Sequence, residues 1–389
     1  MLGMPVSHHA LRHLSAAEMS QMRPALKDPV EYRKSGLSLN HIVGCPLDCA
    51  YCVRHLFDGF AMREPKALLS DDAAVEYLVS HRYFTPHRTP LQIFNRATDP
   101  FLPQVKPHTF AVLENLDGRG LRNHVLIITR YRVTEDDCRR INELASLRVT
   151  LLFTYSGIDD LRIEPVASSI AAESLKIAFE SADRYRTVLY WRPIIPGLND
   201  TDGHLSRALA LSHHAHATVF TGLFYRDEIR AHYRVHGLHE PYDSVARRKI
   251  LPAAAEARIL EAFAEGAGSP LFRKTSCGAC FAHGLPDYNG HFGIKEVCDI
   301  CPSVQIGRCA RAHHVPTREE VLAVSERIGD AVIVEINDQC AILDGFSEQQ
   351  RYFLQHALAF QFHDLEKPHH LGRHGRAEVG WEHVNLDTV

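Results

Sequence analysis

The chain of 389 residues has no run of apolar residues approaching the ~18 needed to cross a bilayer. Its opening, Met1-Leu2-Gly3-Met4-Pro5-Val6-Ser7-His8-His9, lacks the apolar stretch of a secretory leader. No membrane association is expected, and a cytoplasmic location is. Neither sign of charge dominates, because 43 basic against 47 acidic residues leave a net charge of −4. That balance argues against a strongly basic nucleic-acid binder, although it leaves room for a local basic groove. Hydrophobic residues at 45% and charged residues at 23% exclude a collagen-like, coiled-coil or wholly disordered chain. Internal repeats and low-complexity tracts are also missing.

What is present in excess is cysteine and histidine, 10 and 26 residues respectively. In a cytoplasmic chain, clustered cysteines point to metal or redox chemistry rather than to a disulfide framework. Eight of the ten cluster: Cys45, Cys49 and Cys52 near the start, then Cys277, Cys280, Cys298, Cys301 and Cys309. Cys138 lies at core spacing with Ile141 in a predicted helix and Cys340 in a predicted hairpin, so both are read as packed structural thiols. The histidines are scattered, often in pairs such as His213-His214, His313-His314 and His369-His370, and are read as solvated or structural because no helix with an HxxxH or HExxH pattern is expected.

A chain of this length exceeds what one core usually organises, roughly 250–300 residues, so a main domain with an appendage is expected. Short apolar runs alternate with helical patterns, the signature of βα units and a parallel sheet. Strands are predicted at Leu37–Val43, Leu91–Asn95, His124–Thr129, Val149–Tyr155, Thr187–Arg192 and Thr218–Phe224. Helices are predicted at Ser70–His81, Thr134–Ala145, Ser169–Arg184, Thr201–His214 and Ala253–Gly266, the first two opening on capping residues ahead of acidic first turns. The expected fold is α/β: a partial (β/α)6 TIM-like barrel over residues 35–266, preceded by an extension over 1–34. A cysteine-rich α+β extension follows, with a metal-binding module over 267–315. A helix near Thr317–Ile328, a hairpin at Ala331–Leu343, a helix over Ser347–Phe362 and a tail complete residues 316–389.

The segment Gly44-Cys45-Pro46-Leu47-Asp48-Cys49-Ala50-Tyr51-Cys52 follows the first predicted strand. Three thiols on one short loop can wrap a cubane cluster of four irons, leaving one iron without a protein ligand. A structural zinc site would want a fourth protein ligand. Ordinary core cysteines do not usually recur this densely beside Pro, Gly and Asp. CxxxCxxC with an aromatic before its last cysteine, on the loop after the first strand of a βα series, resembles the radical S-adenosylmethionine enzymes. Further phrases resemble their spore photoproduct lyase-related, DNA repair photolyase-like branch: Thr98-Asp99-Pro100-Phe101, Ile128-Thr129-Arg130, Tyr155-Ser156 followed by Ile163-Glu164-Pro165, and Pro193 through Asp200.

That resemblance implies a [4Fe-4S] cluster on Cys45, Cys49 and Cys52 whose open iron chelates S-adenosylmethionine. Reductive cleavage would give a 5′-deoxyadenosyl radical that abstracts hydrogen from substrate. It also implies an external electron donor such as flavodoxin or ferredoxin. Tyr51, Thr98, Asp99, Thr129, Ser156 and Arg192 are the expected cofactor-binding residues, Ser156 for ribose and Arg192 for the carboxylate through its planar fork. Two departures stand out. Asn95-Arg96-Ala97-Thr98-Asp99-Pro100 replaces the Gly-Gly-Glu segment of many family members, and no cysteine near Arg96–Asp99 matches the hydrogen donor of spore photoproduct lyase. Photoproduct reversal is therefore not expected.

In the second group, Cys277-x-x-Cys280 and Cys298-x-x-Cys301 are separated by 17 residues, and Cys309 follows after seven more. Two such knuckles suit a zinc ribbon or an iron–sulfur cluster, and Cys309, with His283 and His291 nearby, supplies more ligands than a ribbon needs. An auxiliary iron–sulfur cluster is favoured over structural zinc. A non-catalytic redox sensor or nucleic-acid-binding regulator is the rival function. Against nucleic-acid binding, the segment after Thr317 carries Glu319, Glu320, Glu326, Asp330, Glu335, Asp338 and Asp344, which would repel phosphates. A nucleic acid or nucleotide is the first substrate class expected, and a small metabolite the second.

Overall fold

Eight strands form one sheet in the order Val30–Arg33, Gly36–Leu39, Leu91–Ile93, His124–Thr129, Arg148–Tyr155, Arg186–Ile194, Ala217–Gly222 and Leu271–Phe272. They belong to a computed structural model that describes residues 11–57, 59–243, 245, 251–330 and 332–365. The opening nine residues, Ala331, His369-His370 and the tail from 366 lie outside the described residues. The first two strands pair antiparallel through Tyr32 and Leu37. All other neighbours run parallel. The two outer strands are not paired with each other, so the sheet is open.

Parallel sheets carry helices on their faces, so their strands are apolar throughout rather than alternating. Val149, Leu151, Leu152 and Phe153 accordingly are all buried, together with Thr150 and Thr154. Helices Asp71–Ser80, Glu135–Glu143, Ser168–Glu180 and Asp202–Ser212 fall where they are predicted, within a few residues at each end. Ser70 accepts a hydrogen bond from the Ala73 amide, and Thr134 forms a reciprocal capping box with Asp137. Such caps are worth about 1 kcal/mol each.

The structure corrects several expectations. Leu37–Val43 is two strands, because the Asn40 side chain bonds Ser38 Oγ at 2.8 Å and its amide turns back to Pro29. The second piece, Ile42–Val43, pairs instead with Lys66–Ala67 and aims the chain at the cysteine loop. Helix Lys106–Gly118 carries no capping side chain, which hid it from the sequence, yet it buries Phe110, Val112, Leu113 and Leu116. The last predicted helix stops at Leu358, where Ala359 adopts φ +50, and Gln361–Asp364 becomes a strand. It lies parallel to Cys340–Asp344 of the predicted hairpin, in a three-stranded sheet with Val332–Ile336.

That C-terminal part is not loosely appended. Gln349 accepts a hydrogen bond from the Tyr32 amide at 2.8 Å, and Phe353 packs edge-on against the Tyr32 ring. Phe353 and Leu354 are 1% and 0% exposed in the same apolar cluster as Leu37 and Leu91. Burial of each contributes about 1.5–3 kcal/mol, so the helix Glu348–Leu358 covers the sheet edge as core.

Candidate metal centres

The loop bearing Cys45, Cys49 and Cys52 is set by two residues that flank and underlie it. Gly44 has φ +97, and a Cβ there would stand 2.2 Å from the Glu64 carbonyl, so only glycine fits before Cys45. Arg54, 3% exposed, donates to the Leu47 carbonyl at 2.7 Å and the Met62 carbonyl at 3.1 Å. A buried guanidinium is expensive unless its donors are matched. Here they are spent on backbone oxygens within the trio and after it, clamping the loop.

The three cysteines share a cavity of about 690 Å³ with Tyr51, Thr98, Asp99, Thr129, Arg130 and Arg192. Thiolates around a single zinc lie about 2.3 Å from it and so about 3.8 Å from one another. Among the described residues, no three cysteine sulfurs lie within 4.8 Å of one another. The three sulfurs are thus not gathered at the separation that one zinc requires. Burial pushes the Cys45 thiol up, partly offset by Arg54, and pushes Cys49 further up, partly offset by Arg130. Such thiols become ligands when a bound cation drives off their protons.

Of the expected cofactor-binding residues, all but Ser156 line this cavity. Asp99 is engaged by its surroundings: it accepts from Thr129 Oγ1 at 2.7 Å, from the Phe101 amide at 2.9 Å and from the Arg130 amide at 2.9 Å. Burial raises its carboxyl nonetheless. Thr98 Oγ1 is buried and finds no hydrogen-bond partner among the described residues. Arg192 donates to the Tyr190 hydroxyl at 3.0 Å and lies over its ring. Ser156 sits behind the cavity wall and donates to Glu164 at 3.1 Å.

Glu164 also accepts from the Tyr51 hydroxyl and pairs with Arg130 at 3.3 Å, while Arg130 donates to that hydroxyl. Burial alone would lower the Arg130 guanidinium, but the charges of Cys49, Tyr51 and Glu164 raise it overall. Arg54, Arg130 and Glu164 are the site residues that sequence reasoning left without a role. Arginines directly after a cysteine motif or a strand end were the available signal for the first two.

A second region gathers the other five cysteines. Cys277 and Cys280 lie on helix Thr275–Ala282, Cys298 ends Lys295–Cys298, Cys301 follows it, and Cys309 is on Ser303–Ala312. Gly278 lets the first helix lie on the sheet, since a Cβ there would be 2.7 Å from the Val219 side chain. Cys277, Cys298, Cys301, Cys309, Asp287 and His291 line a cavity of about 390 Å³. Burial, reinforced by Cys298 and Cys309, pushes Cys301 up to about 12. His283 is elsewhere, bonded to Thr150 at 3.0 Å. Cys138 is packed in its helix as expected, and Cys340 is half-buried in the small sheet.

The histidine reading needs one correction. His232 and His236 stand four apart at the end of helix Asp227–Val235, with ring centroids 4.2 Å apart, and His55 lies 4.6 Å from His232. The spacing was visible in the sequence; the approach of His55 was not.

No family profile and no curated protein matches the chain. Among solved structures, it is similar to a spore photoproduct lyase complexed with dinucleoside spore photoproduct, at 12% identity and a TM-score of 0.44, over 63% of this chain and 79% of that one. It is also similar to Streptococcus suis SuiB bound to S-adenosylmethionine, at 10% identity and a TM-score of 0.40, over 60% of this chain and 48% of that one. At such identities and TM-scores, the chain's own residues carry the functional reading. Among the described residues, no helix is long and apolar enough to cross a membrane.

Proposed function

We propose that the chain is a radical S-adenosylmethionine enzyme whose active site is the cavity beside Cys45, Cys49 and Cys52. The single observation that carries this reading is the trio's placement: three cysteines on one clamped loop open on a cavity that also holds arginines. These cysteines would hold a [4Fe-4S] cluster with one iron left for S-adenosylmethionine. When bound and reduced, the cluster supplies the electron that cleaves S-adenosylmethionine to a 5′-deoxyadenosyl radical, which takes hydrogen from substrate.

The protein's part is to bind, orient and exclude water. Arg192, held by Tyr190, offers its fork to the carboxylate of S-adenosylmethionine. Thr98 supplies a hydroxyl with no hydrogen-bond partner among the described residues. Asp99 and Thr129 position the turn into Arg130, and Ser156 steadies Glu164 rather than meeting ribose. Tyr51, between Arg130 and Glu164, fixes the wall behind Cys49.

In this reading residues 35–266 form a partial (β/α)6 barrel after an extension over 1–34. Residues 267–315 form a second, auxiliary metal module, iron–sulfur or zinc, and 316–389 complete the chain. A flavodoxin or ferredoxin delivers electrons in the cytoplasm. The substrate class is a nucleic acid or nucleotide, ahead of a small metabolite. The test is anaerobic reconstitution with iron and sulfide, then reduction with S-adenosylmethionine: 5′-deoxyadenosine should appear and vanish in Cys49→Ala. Absence of 5′-deoxyadenosine from the reconstituted parent would return the protein to a non-catalytic sensor or regulator.

A further inference from the structure

Five cysteines converge in the C-terminal module, one more than a cluster or a zinc ion takes, and two details of the structure sort them. The first is spacing. No three of the five sulfurs lie within 4.8 Å of one another, whereas thiolates sharing a zinc stand about 3.8 Å apart. Four of them, Cys277, Cys298, Cys301 and Cys309, face one cavity of about 390 Å³ from three separate segments. The second is the position of Cys280. It is fully buried but does not line that cavity. It stands three residues beyond Cys277 on the same helix, about 4.5 Å further along the axis.

We propose that this module holds a four-iron, four-sulfur cluster on Cys277, Cys298, Cys301 and Cys309, with Cys280 outside the ligand set. This deepens the proposed function only in taking the module to bind metal; it does not depend on S-adenosylmethionine chemistry. The surroundings of Cys309 fit the assignment. The Asp287 amide points at its sulfur at 3.4 Å and the Gln305 side-chain amide at 3.6 Å. N–H donors on a ligand sulfur are among the features that tune a cluster's potential.

A mononuclear zinc on Cys277, Asp287 and His291 is the competing arrangement, because one ligand atom from each lies within 4.8 Å of the others. One oxygen and one nitrogen of that group are already hydrogen-bonded to each other. Asp287 Oδ2 and His291 Nδ1 form a hydrogen bond of 2.8 Å, and the same Nδ1 is the atom 3.8 Å from the Cys277 sulfur. Asp287 and His291 are thereby a buried polar pair that orients the Cys277 side of the cavity. They are not assigned as ligands.

The experiment uses the full chain carrying Cys45→Ala, Cys49→Ala and Cys52→Ala, which removes the first centre, reconstituted anaerobically. Iron, acid-labile sulfide and zinc are then counted, and Mössbauer and reduced-state EPR spectra recorded. About four iron and four sulfide per chain are expected, retained on adding Cys280→Ala and lost on adding Cys298→Ala or Cys301→Ala. Cys309→Ser, which offers oxygen in place of sulfur, should keep iron with a shifted EPR signal, which separates a ligand change from misfolding. About one zinc per chain without sulfide would overturn the proposal. So would loss of the cluster in Cys280→Ala with an unshifted signal in Cys309→Ser. Because the trio is absent throughout, failure here leaves 5′-deoxyadenosine formation at the first centre untouched.

Discussion

Arg130 and Glu164 pair at 3.3 Å beside Cys49, with the Tyr51 hydroxyl bonded to both. Glu164 is 3% exposed, so removing its charge leaves Arg130 poorly compensated. Glu164→Ala should therefore destabilise the protein by about 3 kcal/mol. Tyr51→Phe, which leaves the pair in place, should cost about 1 kcal/mol. Anaerobic urea unfolding measures both, and equal effects would show that the hydroxyl, not the pair, organises this wall.

Arg54 makes a more local prediction. Its backbone acceptors include Leu47, between the first two cysteines, and Met62, beyond the third, so Arg54→Ala should release that loop without reaching the C-terminal module. Iron counts should fall at the first centre and persist at the second, with a several-fold loss of 5′-deoxyadenosine. Arg54→Lys, a point charge on a flexible stem, should rescue little. Unchanged iron in Arg54→Ala would remove the clamp from the account.

The His55 cluster sets a pH dependence. Burial, aided by His232, lowers His55 to about 4, below the ~6.5 of free imidazole. Between those values the unfolded chain binds a proton that the folded chain excludes. Its contribution to stability is therefore complete above about 6.5 and lost as pH falls toward 4. His55→Gln should flatten the pH dependence of the thermal midpoint across that window. A parallel curve would place the titrating group elsewhere.

Much of the site was legible because it is local. Cys45, Cys49 and Cys52 suggest a metal site by their spacing on one loop, and Ser70 and Thr134 announce their helices by capping. Parallel strands also betray themselves as uninterrupted apolar runs, which is why five of the six predicted strands recur in the sheet nearly as drawn. Leu37–Val43 failed because continuity of apolar residues does not show a backbone turning away at Asn40. Lys106–Gly118 was missed for want of a capping signal.

Which side chain answers which was beyond the sequence. Asp99 meets Thr129 across 30 residues, and Tyr51 meets Glu164 across 113. Ser156, expected at ribose, donates its hydroxyl to Glu164. Five cysteines spaced as two knuckles and a single were equivalent as text, and only the fold places four of them on one cavity with Cys280 off it. Residue types and short spacings determine what chemistry a chain can do. Hydrogen bonds and charge pairs act over a few ångströms of space, whatever their separation along the chain, so the fold alone decided which of these groups are spent on one another and which are left for a ligand.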